Sequence, residues 1–150
     1  MKRLVSMFLV FVLVISTLSI SAFAAEIPVE HLVVENTVSA RAREVQELGL
    51  DGSIRLVSTT CDPDIELRSY YNYTTNSTEI NVKLKSNIKG TMQIVLRDAT
   101  TGGFLQQYTV ALTTSYKTTT FSGLKANVPY YITFENVGTQ SINIEGYIMA

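Results

Sequence analysis

From residue 53 onward, hydrophobic and polar residues alternate with a period of two. In "TEINVKLKS", Ile80, Val82 and Leu84 fall on one face, and polar residues occupy the positions between them. Such alternation is typical of a β-strand that has one face in the core and the other in water. Turn residues interrupt the pattern at short intervals, as in "SNIKG" and "ATTGG". The pattern therefore predicts a series of short antiparallel strands.

About eight such strands are predicted between residues 51 and 150. They cover approximately 53–58, 65–73, 78–86, 90–98, 104–114, 116–124, 128–138 and 141–149. Because no helical pattern separates them, the sequence predicts an all-β fold, an antiparallel β-sandwich of jelly-roll or Ig-like type. Within "LRSYYNY", Tyr71 and Tyr73 share the parity of Leu67, which favours the core for both rings.

The first 24 residues have the pattern of a secretory signal peptide. Lys2 and Arg3 precede an apolar run, and Ala22-Phe23-Ala24 forms a small-x-small cleavage site. The alternative is an uncleaved membrane anchor, because the apolar run has about the 20 residues that a spanning helix needs. The cleavage site favours export, so we expect a secreted protein at the cell envelope or outside the cell, in contact with the membrane only during export.

Residues 25–50 differ in composition from the rest of the chain and are predicted to form an N-terminal arm. Val38, Ala42, Val45 and Leu48 recur at helical spacing, which predicts a short helix near 38–48. The arm is a propeptide, a docking segment or a partly ordered extension of the β-sandwich domain at 51–150.

Charge and cysteine content narrow the class of protein. The formal net charge is −1, and loss of Lys2 and Arg3 with the signal peptide makes it more negative, so the sequence does not predict nucleic acid as a partner.

Cys61 is the only cysteine, and it cannot form an intramolecular disulfide. An exported chain with so little cysteine is more typical of bacteria. A buried thiol is the preferred interpretation, and a cross-link between two chains is the alternative.

The sequence carries no arrangement typical of a catalytic or metal site. The sole histidine, His31, precedes the β-domain. The candidate carboxylates are Asp98, Glu135 and Glu145, and the last two are expected on adjacent strands, exposed on an open face. A further group, Asp62, Asp64 and Glu66, fits a polar turn better than a calcium site. We therefore predict no catalytic residue, no metal and no cofactor.

Tyrosines are the residues that most resemble a binding surface. The chain has 8 tyrosines and no tryptophan. By parity, Tyr131 and Tyr147 are expected to be exposed on the last two strands, and Tyr70 points away from Tyr71. These three residues, Tyr70, Tyr131 and Tyr147, are the predicted ligand-binding residues. The alternative is that the rings fill cross-strand positions as structural residues.

The C-terminal stretch "TFSGLKANVPYYITFENVGTQSINIEGYI" contains four short motifs: F-S-G-L, Y-Y-I, N-x-G and I-x-G-x-I. In these motifs it resembles small uncharacterised secreted proteins of Gram-positive bacteria. The resemblance implies a β-sandwich and implies no reaction or binding residue.

Four functions follow from these observations. The first is a secreted, non-catalytic binding or structural module whose partner is a protein or an extracellular polymer. The second is a stand-alone carbohydrate-binding module that uses exposed tyrosines. The third is a small hydrolase with paired carboxylates, and the fourth is a surface subunit that assembles through an exposed edge strand.

Overall fold

The computed structural model describes residues 29–30, 32–34, 45–48 and 52–150. Every regular secondary-structure element in these segments is a β-strand. The strands are β1 (Val29–Glu30), β2 (Leu32–Val34), β3 (Val45–Leu48), β4 (Ser53–Cys61), β5 (Glu66–Ser69), β6 (Asn72–Thr75), β7 (Glu79–Ser86), β8 (Gly90–Asp98), β9 (Phe104–Leu112), β10 (Lys117–Ser122), β11 (Tyr130–Asn136) and β12 (Ile142–Met149).

The strands form two sheets. The five-stranded sheet has the order β1-β4-β12-β7-β10. In the seven-stranded sheet β11 is central: β8 pairs with one of its edges, β5 and β6 pair with the other, and β9, β2 and β3 lie further out. All pairings except β1 with β4 and β3 with β6 are antiparallel. The prediction of an all-β antiparallel sandwich is therefore confirmed.

The core lies between the two sheets and is lined by alternate residues of the strands. In β7 the inward residues Ile80, Val82 and Leu84 are almost completely buried, as the alternation predicted. Tyr73 is completely buried, and Tyr71 is half-buried and packs against the core. The prediction that these two rings face inward is confirmed.

Two predictions of local structure are corrected near the N-terminal side of the sandwich. Val45–Leu48 is a strand rather than part of a helix, and it pairs in parallel with β6. Hydrogen bonds to β6 at the sheet edge hold this segment in the extended conformation. A short isolated helix would form too few local hydrogen bonds to be stable without such a partner. The rest of the predicted helix, residues 38–44, lies outside the described residues, as does the signal peptide. The predicted strand 65–73 is divided into β5 and β6 by a bend at 70–71.

A further correction concerns Glu135 and Glu145, which were expected on adjacent strands. Glu135 is in β11 of the seven-stranded sheet and Glu145 is in β12 of the five-stranded sheet. The "NVGTQ" segment therefore crosses from one sheet to the other instead of forming a hairpin. Polar turn residues mark where a strand ends but do not determine which sheet the next strand joins.

A β-bulge in β4 keeps the core face continuous. Val57 and Ser58 together oppose the single residue Glu145 of β12. The extra residue shifts the alternation, so that Leu56 and Cys61 are both buried although their numbers differ in parity. The same shift turns Ser58 toward the outer face.

Gly146 allows β12 to lie close to β7 beside this bulge. A Cβ atom at this position would collide with the carbonyl oxygen of Lys83 on β7. Only glycine fits here without a shift of one backbone against the other.

Cys61 ends β4 inside the core. Its side chain is completely buried, which confirms the preferred interpretation, and burial together with the neighbouring Asp62 raises the pKa of the thiol to about 12. The next residues form the predicted turn, in which Ile65 N–H donates to the carbonyl oxygen of Asp62 and Asp64 adopts a φ of 60°.

No helix within the described segments is long and apolar enough to cross a membrane.

Candidate functional site

A polar pocket opens on the outer face of the five-stranded sheet, where β4, β12 and β7 lie side by side. Its volume is about 270 Å³. The pocket is lined by Ser58, Lys85, Ser86, Asn87, Thr114, Asn143 and Glu145. Strand alternation supplies Lys85 and Glu145, and the β4 bulge supplies Ser58.

Hydrogen bonds between β12 and the turn after β7 hold one wall of the pocket. The N–H of Asn143 donates to Oδ1 of Asn87 at 2.8 Å, and the N–H of Asn87 donates to the carbonyl oxygen of Asn143 at 3.1 Å. The Thr60 hydroxyl donates to Oδ1 of Asn143 at 2.8 Å. Two asparagine side chains are thereby fixed in position, which preorganises this wall for a ligand.

Lys85 and Glu145, which both line the pocket, form an ion pair. Lys85 Nζ lies 2.7 Å from Oε1 of Glu145, and the two residues are direct cross-strand neighbours. The hydrogen bond to Glu145 raises the pKa of Lys85. Both side chains remain partly exposed, so they are accessible to a ligand.

Two tyrosines lie near Lys85 and Glu145, the charged pair of the pocket, without lining the pocket themselves. The ring centroids of Tyr116 and Tyr147 are 6.1 Å apart, with an interplanar angle of 48°. Tyr116 is 39% exposed and Tyr147 is half-buried. The ammonium groups of Lys83 and Lys85 lie 5.2 and 5.0 Å from the Tyr116 ring centroid, within the range of a cation–π interaction. These contacts hold Tyr116 beside the pocket although it belongs to a turn.

The three predicted ligand-binding residues are not brought together by the fold. Tyr147 is next to the pocket on the five-stranded sheet. Tyr70 is 49% exposed at the bend between β5 and β6, and its ring packs edge-on against Tyr71. Tyr131 is on β11 of the other sheet.

The expected exposure of Tyr131 is wrong. Its side chain is only 6% exposed, because the Arg68 guanidinium stacks on the ring with its carbon 3.5 Å from the ring centroid. Parity placed Tyr131 correctly on the outer face, but the long side chain of a neighbouring strand covers it.

The candidate carboxylates occupy separate parts of the molecule. Asp98 accepts hydrogen bonds from the N–H groups of Thr100 and Thr101, which lowers its pKa and closes the β8–β9 turn. Glu145 is paired with Lys85. Glu135 is half-buried on the seven-stranded sheet, opposite Glu66.

The acidic residues near the β4–β5 turn also have protein partners. Asp62 accepts a hydrogen bond from the Ser141 hydroxyl at 2.6 Å, and Glu66 lies 3.8 Å from the Arg97 guanidinium. Within the described segments, no three or more His, Cys, Asp or Glu side chains are grouped so that they could hold a metal ion.

Sequence reasoning missed most of the pocket. Tyr116, Thr114 and Asn87 lie in turns, where no period reveals which way a side chain points. Asn143 and Ser58 lie on strands, and their outward orientation follows from alternation and the bulge, but their proximity depends on strand order. The usable signals were the outward parity of Lys85 in "TEINVKLKS" and that of Glu145 and Tyr147 in "INIEGYIM".

The pocket and the two tyrosines near it together present hydrogen-bonding groups and aromatic faces. Serine, threonine and asparagine donate and accept hydrogen bonds, lysine donates, and glutamate accepts. Tyrosine rings provide a flat apolar surface that packs against the C–H groups of a ring-shaped ligand. A molecule that carries many hydroxyl groups on an aliphatic frame is complementary to this combination.

Comparison with solved structures finds several proteins that align with this chain at low sequence identity. The Yersinia pseudotuberculosis-derived mitogen aligns with a TM-score of 0.48 and 13% identity, over 67% of this chain and 86% of the mitogen. The module CsCBM6-3 from Clostridium stercorarium, solved with cellobiose, aligns with a TM-score of 0.43 and 11% identity, over 69% of this chain and 95% of the module. A family 6 carbohydrate-binding module aligns with a TM-score of 0.44 and 14% identity, over 73% of this chain and 97% of the module.

No protein-family model matches the chain, and no curated protein sequence matches it. Since the structural similarities have TM-scores below 0.5, the function proposed below rests on the residues of this chain alone.

Proposed function

We propose that this chain is a secreted, non-catalytic binding module that acts at the cell envelope or outside the cell. Its ligand is an extracellular polymer rich in hydroxyl groups, of which a polysaccharide is the main candidate. The observation that carries the proposal is the polar pocket on the five-stranded sheet with Tyr116 and Tyr147 beside it.

The composition of the pocket supports this ligand class. Its side chains offer donors and acceptors at short spacing, and the Asn87–Asn143 hydrogen bonds fix one wall before a ligand arrives. A preorganised wall reduces the entropy lost on binding. The two tyrosine planes are inclined to each other at 48°, which suits successive rings of a twisted polymer better than one flat surface.

A non-catalytic role is supported by the state of the reactive side chains. The Cys61 thiol is buried and its pKa is raised, so it is neither accessible nor ionised. Glu145, the carboxylate in the pocket, is paired with Lys85 instead of facing a second carboxylate. Exposed Tyr70 is on another surface and remains a separate prediction.

A binding experiment with the purified full chain tests the proposal. Soluble extracellular polysaccharides are included in native gels, and retardation of the protein gives the affinity for each. We expect at least one polysaccharide to retard the chain. We expect Tyr147→Ala and Tyr116→Ala to weaken that affinity about tenfold each, since aromatic contacts contribute on the order of 1 kcal/mol or more.

Tyr70→Ala is the matched control, because it removes an exposed tyrosine from the other sheet. It should leave the affinity unchanged, while circular dichroism and thermal unfolding confirm that every variant is folded. Loss of binding with Tyr70→Ala but not with Tyr147→Ala would locate the ligand elsewhere and overturn the proposed site. Failure of every polysaccharide to retard the wild-type chain would overturn the ligand class.

A further inference from the structure

Two cationic residues, Arg55 and Lys83, lie on the outer face of the five-stranded sheet near the pocket, one on each side of Tyr147. Tyr147 on β12 is the direct cross-strand neighbour of Arg55 on β4 and of Lys83 on β7. All three side chains point outward, because the residues that flank them in each strand are buried. Arg55 and Lys83 therefore lie on the two sides of Tyr147, which is two residues from the pocket residue Glu145 on the same face of β12.

Among the described residues, no carboxylate pairs with Arg55 or Lys83. In the described part of the chain, neither Arg55 nor Lys83 has a carboxylate within 4.0 Å, whereas Lys85 is paired with Glu145. Glu79 is on the same face of β7, but four residues from Lys83, which is about 13 Å along a strand. The local charge is therefore positive in a chain whose net charge is −1.

From this arrangement, and resting on the proposed function, we infer that the polymer bound at this site is anionic. Its carboxylate or phosphate groups contact Arg55 and Lys83, and its hydroxyl groups enter the pocket. Arg55 and Lys83 are two strands apart, a separation of roughly 10 Å. At this spacing they contact separate charged groups of one polymer more readily than a single small anion.

The pocket favours a saccharide or polyol chain over an anionic membrane surface. A lipid surface is contacted by protruding basic and apolar side chains, and contributes no hydroxyl groups to a recess of about 270 Å³. In this site Tyr147 is half-buried, and the hydrogen-bonding side chains line the pocket.

Binding to three matched polymers tests the inference. Polygalacturonate carries a carboxylate on each sugar, its methyl-esterified form has the same backbone without charge, and poly(glycerol phosphate) carries phosphodiesters on a polyol. We expect the wild-type full chain to bind one of the charged polymers at least tenfold more tightly than the esterified one. The charged polymer that binds then identifies the anion as carboxylate or phosphate. Affinity should fall as the salt concentration rises, because exposed charges are screened.

Charge-removing substitutions locate the contact. Arg55→Gln and Lys83→Gln should each weaken binding to the charged polymer about tenfold, which is the size of one charge-assisted hydrogen bond. Lys125→Gln is the control: it changes net charge by the same amount but lies in the loop after β10. An equal loss with Lys125→Gln would mean a general charge effect and would overturn the inference.

The remaining outcomes separate this inference from the proposed function. Equal binding of the charged and esterified polymers, with both weakened by Tyr147→Ala, would overturn the anionic ligand and leave the binding module intact. Tighter binding to phosphatidylglycerol vesicles than to any polymer, unaffected by Asn143→Ala, would overturn the inference in favour of a membrane surface. Absence of binding to all three polymers, while a neutral polysaccharide retards the chain in native gels, would overturn the anionic ligand and leave the binding module intact.

Discussion

The guanidinium carbon of Arg68 lies 3.5 Å from the ring centroid of Tyr131, on the outer face of the seven-stranded sheet. The stacked arginine buries a tyrosine that strand alternation placed in solvent. An aromatic ring on an outer face is thus part of the packed structure, and the candidate site is on the other sheet.

A double-mutant cycle should detect this contact. We expect Arg68→Gln and Tyr131→Leu to be coupled by about 1 kcal/mol in the free energy of unfolding, measured by urea denaturation, because stacking is lost with either partner. Arg55→Gln combined with Tyr131→Leu is the control and should be additive, since Arg55 is on the opposite sheet. Additivity of the Arg68 and Tyr131 pair would contradict a stabilising stack.

Gly146→Ala should destabilise the protein by about 3 kcal/mol or prevent folding. The new methyl group would overlap the Lys83 carbonyl oxygen, so β12 and β7 would have to separate at their closest point. Gly103→Ala is the comparison, because its methyl group would meet only the hydroxyl of Thr101 in an exposed turn, a group that can rotate away. Thermal unfolding of both variants measures the difference, and equal losses would contradict the close approach at Gly146.

Cys61 should be unreactive in the folded protein. Because burial raises the pKa of its thiol to about 12, almost no thiolate is present at pH 8. We expect a colorimetric thiol reagent to titrate less than a tenth of the protein in the native state within the time that suffices for complete reaction in denaturant. Prompt native-state reaction, or a covalent dimer on non-reducing gels, would contradict the buried position.

The same thiol predicts how stability depends on alkaline pH. In the unfolded chain it ionises near its reference value of 9.0, and in the folded chain near 12. Between these values the folded state binds the extra proton, so stability is complete below pH 9 and falls as pH rises, by up to about 1.4 kcal/mol per unit. Denaturation of Cys61→Ala at pH 8 and pH 10 should show a smaller fall than the wild type shows.

Gln106 should stabilise the edge of the sandwich where β9 meets β10. Its amide nitrogen donates to the carbonyl oxygen of Ser122 at 2.6 Å, and its amide oxygen accepts from the N–H of the same residue at 3.3 Å. We expect Gln106→Ala to cost about 1 kcal/mol in urea unfolding. Gln107→Ala, its exposed neighbour on the same strand, should cost less than about 0.5 kcal/mol. Equal losses of stability in the two variants would mean that the hydrogen bonds between Gln106 and Ser122 do not stabilise the fold.

Strands such as β7 could be predicted from sequence because their hydrophobic and polar residues alternate regularly. Ile80, Val82 and Leu84 face the core as predicted, and Tyr73 follows the parity of Leu67 into the core. The alternation within a strand does not show which strands are neighbours in a sheet. Glu135 and Glu145 were therefore expected on adjacent strands, although their strands belong to different sheets.

The pocket could be predicted only in part for the same reason. Tyr147 and Glu145 were identified by their outward parity, whereas Asn87, Thr114 and Tyr116 reach the site from turns. For Tyr131, the alternation predicted the outer face of the sheet correctly but not the burial of the ring. That burial depends on Arg68, sixty-three positions earlier in the chain. Such long-range contacts follow from the assembled sheets and have no local pattern.

The positions of β11 and β12 have a consequence for how the protein is made. Each is an internal strand of its sheet although it follows in sequence every strand that it pairs with, and β12 pairs with both β4 and β7. Until residues 130–149 are synthesised, neither sheet has the strand that joins its two halves. The sandwich therefore closes only after residues 130–149 have been added, so that its folding depends on late, long-range pairing.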